Sequence, residues 1–248
     1  QFKPIVAKCI YQMSNATKVL DTSCGWGDRL CGFYASNAQE YIGCDPNPNT
    51  YERYKQQCVE YEKLLGNRTP IVKEERDYFT INASKKVTIH RCGAEDLPWD
   101  EIEDIDCAFT SPPYFNWEQY GEEDGQSFNQ FNSNEEWNNG FLRKTIQNAY
   151  KGLKKDKYLA LNVANIKSHK TIENDTVQIA KEEKFEHTDT FKLQLSSQES
   201  GAKYEHIFIF QKNFRKFSGK KSRSKKQIGV GKFLGVQLRC RKVRAFDW

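Results

Sequence analysis

The sequence has no apolar run approaching the ~20 residues needed to cross a bilayer, so no membrane partner is expected. None of its eight cysteines forms a C-x-x-C pair, and its four histidines are scattered. Zinc sites need closely spaced ligands, so no metal site is expected. Cys9, Cys24, Cys31, Cys44, Cys58, Cys92, Cys107 and Cys240 mostly lie in apolar runs, which reads as buried reduced thiols. No secretory signal opens the sequence at Gln1. An intracellular, reducing compartment, cytoplasm or nucleus, is therefore expected, and secretion is not. No internal repeat is visible. What remains is 248 residues, 38% hydrophobic and 29% charged, enough for one α/β domain with a proper core.

The net charge of +5 conceals an asymmetry. From Lys212 to Trp248 there are thirteen Lys and Arg against one acid, Asp247, so this stretch carries +12 and the rest −7. A basic tail interspersed with Phe214, Phe217, Phe233, Leu234 and Trp248 points to a polyanion partner, nucleic acid foremost. Two regions are expected: residues 1–211 as the folded domain and 212–248 as a basic extension contacting nucleic acid.

Strands and helices alternate along the first region. Pro4 suits the first turn of a helix reaching about Met13. Lys18–Asp21, Glu40–Cys44, Val87–His90, Asp106–Phe109 and Tyr158–Val163 read as short buried strands. Helices are expected over Arg29–Ala35, Thr50–Leu65, Asn134–Leu153 and Thr176–Glu183. Thr190–Leu195 and Glu205–Gln211 read as an antiparallel hairpin. Gly66–Lys86 reads as a polar loop or small insertion. This predicts a doubly wound, Rossmann-like α/β fold with a mostly parallel seven-stranded sheet and an antiparallel C-terminal hairpin. In such sheets ligands bind beyond the carboxyl ends of the strands, where strand order reverses.

The motifs fall at those ends. Asp21-Thr22-Ser23-Cys24-Gly25-Trp26-Gly27 follows the first strand. A turn in which backbone approaches a ligand requires glycine, because a Cβ would collide. Asp21 can accept from a ligand ammonium. Asp45, 24 residues after Asp21 at the end of the second strand, is spaced to bind the two ribose hydroxyls of an adenosine; alone, Asp45-Pro46-Asn47-Pro48 would be a turn. Gly93-Ala94-Glu95-Asp96 follows the third strand and offers a carboxylate to an adenine amino group, or simply caps the next element.

Thr110-Ser111-Pro112-Pro113-Tyr114 stands at the tip of the fourth strand. Consecutive prolines stiffen the backbone and can aim its carbonyls at one point. The amino nitrogen of cytosine or adenine is a poor nucleophile, because its lone pair is delocalised into the ring. Acceptors on its N–H bonds favour a more tetrahedral nitrogen. The Ser111 hydroxyl and Pro112 carbonyl are candidates for those acceptors, with Tyr114 stacking on the base.

In this order, these residues resemble the amino-methyltransferase family of DNA modification enzymes. The resemblance extends over about Phe2–Gln211, with cofactor motifs before the catalytic one as in the gamma arrangement. Asp21, Ser23, Cys24, Gly25 and Gly27 are similar to its cofactor loop, and Asp45 with Pro46 to its ribose-binding acid. Ala94 and Glu95 match the adenine side of the cofactor. Ser111, Pro112, Pro113 and Tyr114 are similar to its [DNS]-P-P-[YFW] catalytic motif. Phe2, Lys3 and Pro4 resemble the segment over the methionine end of the cofactor. The resemblance implies S-adenosyl-L-methionine as cofactor, with Ser111 also facing it, and an exocyclic amino group of a DNA base as acceptor. Ser in the first catalytic position favours N4-cytosine over N6-adenine. Typical members carry a separate target-recognition domain. Here only the aromatic-rich stretch 115–139 and the tail are available, so specificity is short, relaxed or supplied by a protein partner. Trp117, Tyr120, Phe128, Phe131 and Trp137 suit either a base pocket or core packing. Alternatives are an RNA-base or protein-glutamine methyltransferase, and a non-catalytic nucleic-acid-binding subunit of a methyltransferase complex.

Overall fold

The computed structural model describes residues 2–113, 131–198 and 201–213; of 195–198 and 201–203 only the backbone is described. Helix α1 (Pro4–Met13) begins at Pro4, where a missing N–H costs nothing, and buries Val6, Ala7, Ile10 and Tyr11 at helical spacing. Strand β1 (Lys18–Asp21) follows, then α2 (Asp28–Tyr34), β2 (Glu40–Cys44) and α3 (Pro48–Leu64). Strands β3 (Val72–Glu74), β4 (Tyr78–Asn82) and β5 (Lys86–His90) come next, then a 3₁₀ turn at Ala94–Asp96 and β6 (Ile105–Thr110).

Helix α4 (134–152) has α-helical turns at Asn134–Trp137 and Arg143–Gly152, joined by a π-helical turn at Asn138–Leu142. Strand β7 (Leu153–Val163), α5 (Ile172–Glu182), β8 (Phe185–Gln198) and β9 (Gly201–Lys212) complete the order.

The sheet runs β3-β4-β5-β2-β1-β6-β7-β9-β8. All seven expected strands are present, in the doubly wound order, with β1, β2, β5, β6 and β7 parallel and β8–β9 an antiparallel hairpin. The count is nine rather than seven. The stretch read as a loop, Gly66–Lys86, folds β3 and β4 antiparallel onto the β5 edge. Its apolar positions were few and spaced by two, so the stretch read as polar. In the fold, Phe79 and Ile81 alternate into the core while Tyr78 and Asn82 face out.

Two cores sandwich the sheet. One packs α1, α2 and α3 against Val19, Tyr41, Cys107 and Phe109; the other packs α4 and α5 against Leu20, Ile42, Ala108 and Leu161. All six β6 residues are buried, as a central parallel strand covered on both faces requires. Trp137 is fully buried and stacks on Phe141 at 5.5 Å, so of its two sequence readings the core one holds. Phe131 packs partly buried against the same core; Trp117, Tyr120 and Phe128 lie outside the described residues. Cys24, Cys44, Cys58 and Cys107 are buried thiols. Lys212, grouped with the tail by charge, is the last residue of β9. Its ammonium is buried against the Leu153 carbonyl at 2.5 Å. Residues 214–248 lie outside the described part. Among the described residues, no helix is long and apolar enough to cross a membrane.

Candidate active site

Strand β1 lies between β2 and β6, and the chain connections lead off in opposite directions on its two sides. That is the topological switch point, where the strand ends leave a crevice. Val19 pairs with Cys107 and Leu20 with Ala108, so the glycine turn after β1 and the Ser111–Pro112 corner after β6 leave the sheet side by side. On the other flank Asp21 pairs with Gly43, bringing Asp45 to the same rim.

The turn after β1 holds its shape through charge and glycine. Gly25 and Gly27 adopt φ of +57° and +81°, in the left-handed region that costs other residues strain. A Cβ on Gly27 would also meet the Gln57 side chain. The Cys24 N–H donates to the Cys44 carbonyl at 2.9 Å, tying the tips of β1 and β2 together.

Asp21 is fully buried. Its carboxylate accepts from Arg29 Nε and the Tyr41 hydroxyl, both at 2.8 Å, and from the Ser23 N–H at 3.1 Å. Arg29 also donates to the Ser23 carbonyl. Burial would lower the Arg29 pKa, but Asp21 raises it beyond the ordinary range, so the guanidinium keeps its charge. Arg29, Tyr41 and Tyr54 were not among the sequence-predicted site residues. Nothing local marks them, because their roles depend on strands and helices that meet only in the fold. Asp21, read as a ligand acceptor, accepts from Arg29, Tyr41 and Ser23 and through them braces the turn.

Asp45 is buried at the tip of β2. Its carboxylate accepts from the Gly25 N–H at 2.9 Å, the Asn47 N–H at 3.0 Å and the Thr50 hydroxyl at 3.1 Å. Burial pushes its pKa up, against the backbone donors Asn47 and Gly25. Tyr54 donates to the Gly25 carbonyl. Pro46 is half-buried beside Asp45. At the tip of β5, Ala94 is buried and Glu95 exposed, with the Ala94 carbonyl taken by Trp99 Nε1 at 2.8 Å.

At the tip of β6, the Ser111 hydroxyl donates to the Asn162 carbonyl on β7 at 3.1 Å, leaving its lone pairs to accept. Pro112 is buried and Pro113 half-buried; Tyr114 lies outside the described residues. Asn162, another residue missed from sequence, is buried and ties β7 to β9 through the His206 carbonyl at 3.1 Å. The N-terminal segment reaches this region. The Phe2 ring meets Phe109 edge-on at 5.7 Å, Arg29 sits over Phe2, and Lys3 Nζ donates to the Gln194 carbonyl at 2.8 Å. Pro4 opens α1, and its carbonyl lies too close to Gly32 for any Cβ there.

The rim fits a polar nucleoside cofactor. The hydroxyls of Thr22, Ser23 and Thr110 are buried without a partner among the described residues. Such groups are costly unless a ligand or water satisfies them. Thr22 and Ser23 belong to the glycine turn itself, and Thr110 ends the neighbouring strand β6.

The DNA methylase family matches residues 105–231, just over half of the chain. A search of the curated proteins finds no match. Among solved structures the chain is similar to the N-methyltransferase NodS from Bradyrhizobium japonicum (10% identity, 84% of this chain and 93% of that one, TM-score 0.55). It is similar to an S-adenosylmethionine-dependent O-methyltransferase from Thermotoga maritima (10% identity, 87% and 68%, TM-score 0.52). Trm1 from Pyrococcus horikoshii, solved with S-adenosylmethionine, is similar too (14% identity, 86% and 56%, TM-score 0.51), and this chain spans little more than half its length. At such identities these likenesses establish the Rossmann-like methyltransferase fold. The sequence match, which begins at β6 and takes in the Ser-Pro-Pro corner, goes further: the chain is a methyltransferase belonging to the DNA methylase family.

Proposed function

We propose that this chain transfers a methyl group from S-adenosylmethionine to an exocyclic amino nitrogen of a DNA base, N4 of cytosine ahead of N6 of adenine. The observation that carries the reading is the pairing of β1 with β6, from which the glycine turn and the Ser111–Pro112 corner emerge as neighbours. S-adenosylmethionine, when bound, supplies a methyl on a sulfonium that is already an activated leaving group.

The chain's own residues bind and orient. Asp45 is assigned to the ribose, with Pro46, Ala94 and Glu95 along the adenine side. Ser23, Cys24, Gly25 and Gly27 line the cofactor turn, and Asp21 fixes its shape through Arg29. Phe2, Lys3 and Pro4 close the methionine end. Ser111 and Pro112 accept the N–H bonds of the target amino group, Pro113 stiffens the corner, and Tyr114 stacks on the base. The Asn162 carbonyl engages the Ser111 proton and so turns the hydroxyl's lone pairs outward, which supports the acceptor role. The amino nitrogen gains a carbon and must shed a proton, to Ser111 or to water. Catalysis is then chiefly positioning, worth several kcal/mol of the barrier.

The two-part organisation is part of this reading: residues 1–211 carry cofactor and chemistry, and the basic extension contacts phosphates. A protein partner supplies target specificity if the chain's own surface does not.

Nucleoside mass spectrometry of DNA and RNA treated with enzyme and cofactor is the test. N4-methylcytosine or N6-methyladenine in DNA is the expected product. A product only in RNA, or label only in protein, would overturn the DNA assignment. Ending the chain after Asn213, so that Lys212 stays in β9, should weaken nucleic-acid binding and flatten its salt dependence. An unchanged salt slope would remove the tail from the interface.

A further inference from the structure

Away from the rim of β1, β2 and β6, a cavity of about 370 Å³ opens between α4 and α5, beneath the turn that follows β7. Asn134, Asn138, His169, Asp175 and Gln178 line it. Both helices begin at the carboxyl end of the sheet, so its upper end belongs to the same rim as Ser111. A tight backbone pairing of Ile166 with His169 holds the turn.

The polar groups of this cavity are oriented by partners that can only accept. Asn138 Nδ2 donates to Asp175 Oδ2 at 3.1 Å, and Asn134 Nδ2 donates to the Ser168 carbonyl at 2.8 Å. Neither amide can be flipped without losing its bond, so each presents Oδ1. Asp175 also accepts from the Thr171 hydroxyl at 2.9 Å and meets His169 Nε2 at 2.8 Å. Burial opposes the Asp175 charge, but His169, Thr171 and Asn138 hold its carboxyl below the usual range. A carboxylate oxygen has no proton to give, so His169 Nε2 is the donor and Nδ1 lies on the far side of the ring from Asp175.

Asn134 Oδ1, Asn138 Oδ1 and His169 Nδ1 are all buried without a partner among the described residues, and His169 is only 3% exposed. The two amide oxygens are fixed as acceptors by their Nδ2 bonds, four residues apart and so on one helical face. A guanine edge offers adjacent donors to such a pair, the N–H at N1 and the amino group at N2. Lys167 and Lys170 are exposed on the same turn and suit the phosphates of the strand that carries such a base. The π-helical turn begins at Asn138, and such turns recur at functional sites.

We propose that this cavity receives an unstacked guanine near the target base and reads it through its N1 and N2 hydrogens. The inference rests on the nucleic-acid reading above, and it would supply the chain with a sequence preference without a separate recognition domain.

The test uses the full chain and the polymer that nucleoside mass spectrometry identifies. Guanines near the methylated base are replaced one at a time by hypoxanthine, which lacks the N2 amino group. One position should raise KM about tenfold, the scale of a lost base contact, with kcat little changed. Asn138→Ala and, independently, Asn134→Ala should abolish that penalty. A wild-type enzyme indifferent to hypoxanthine at every position overturns the proposal, as does a penalty that survives both variants. Methyl transfer without a sensitive position sinks the cavity alone; no methyl transfer to any nucleic acid sinks the function reading with it. The competing occupant is a guanidinium from a protein. Arginine amide binding that Asn138→Ala removes, with no sensitive base, would assign the cavity to that instead.

Discussion

At the tips of β1 and β2, Asp21 and Asp45 accept hydrogen bonds from Arg29, Tyr41, Ser23, Gly25, Asn47 and Thr50. Next door, at the tip of β6, Ser111 donates a single bond to the Asn162 carbonyl, and the Thr110 hydroxyl has no partner among the described residues. Both tips lie on one rim, yet one is built on a network of buried charge, with the Thr22 and Ser23 hydroxyls left unpartnered among the described residues, and the other is an edge of neutral groups. A buried carboxylate must be compensated within the protein whether or not a ligand is present, since an unpaired charge costs several kcal/mol. A neutral hydroxyl can wait for its partner at lower cost. The fold can therefore keep the cofactor turn in its binding shape and leave the reacting corner free to accept the target amino group.

That contrast can be broken at its most costly point. Arg29→Met leaves Asp21 buried without its cation and should lower stability by about 3 kcal/mol, read as a shifted urea midpoint. An unchanged midpoint would mean that the turn is not braced by this pair. On the neutral side the expected loss is in rate. Ser111→Ala should cut turnover about 100-fold, while calorimetry finds cofactor affinity and urea midpoint close to wild type. A loss of affinity instead would move Ser111 into the cofactor site.

Asp45→Ala should do the reverse. It raises the cofactor dissociation constant by about tenfold or more, the worth of charge-assisted bonds, and affects turnover at saturation far less. The smallest effect lies at the opposite end of β6 and serves as a control. There Asp106 accepts from the Thr17 and Lys18 N–H groups at 2.9 and 3.0 Å, beside Lys154 and Lys157. Burial alone would raise its pKa; those donors lower it. A depressed folded value means stability that is present above about pH 4 and lost as pH falls through the folded pKa. Asp106→Asn should flatten that acid limb by about 1 kcal/mol and leave cofactor affinity and rate unchanged. A change in either would tie the far end of the strand to the site.

Much of the fold was legible because its signals are local. Pro4 opening a helix, the short apolar runs of β1, β2 and β6, and the hairpin of β8 and β9 all follow from periodicity and turn chemistry. The glycine turn and the Ser-Pro-Pro corner were legible because strand tips constrain which residues fit there. The β3–β4 edge was missed because three- and five-residue strands at a sheet edge need few apolar positions, and those they have look like loop chemistry. Arg29 was missed for a different reason. It lies on α2 as one of many basic residues, and only the approach of Asp21 and the Phe2 and Phe109 rings makes it a buried cation.

By itself, the sequence determined the order of the five parallel strands, their helices and the closing hairpin, the positive-φ turn that only glycine enters cheaply, and the stiff double-proline corner, since backbone sterics act over a few residues. Tertiary structure alone decided that Arg29 and Tyr41 reach Asp21, that Asn162 turns the Ser111 hydroxyl, that Trp137 belongs to the core and that unpartnered atoms of Asn134, Asn138 and His169 line one cavity between α4 and α5. Each of these depends on which distant group arrives within bonding distance, and packing, not local propensity, sets that.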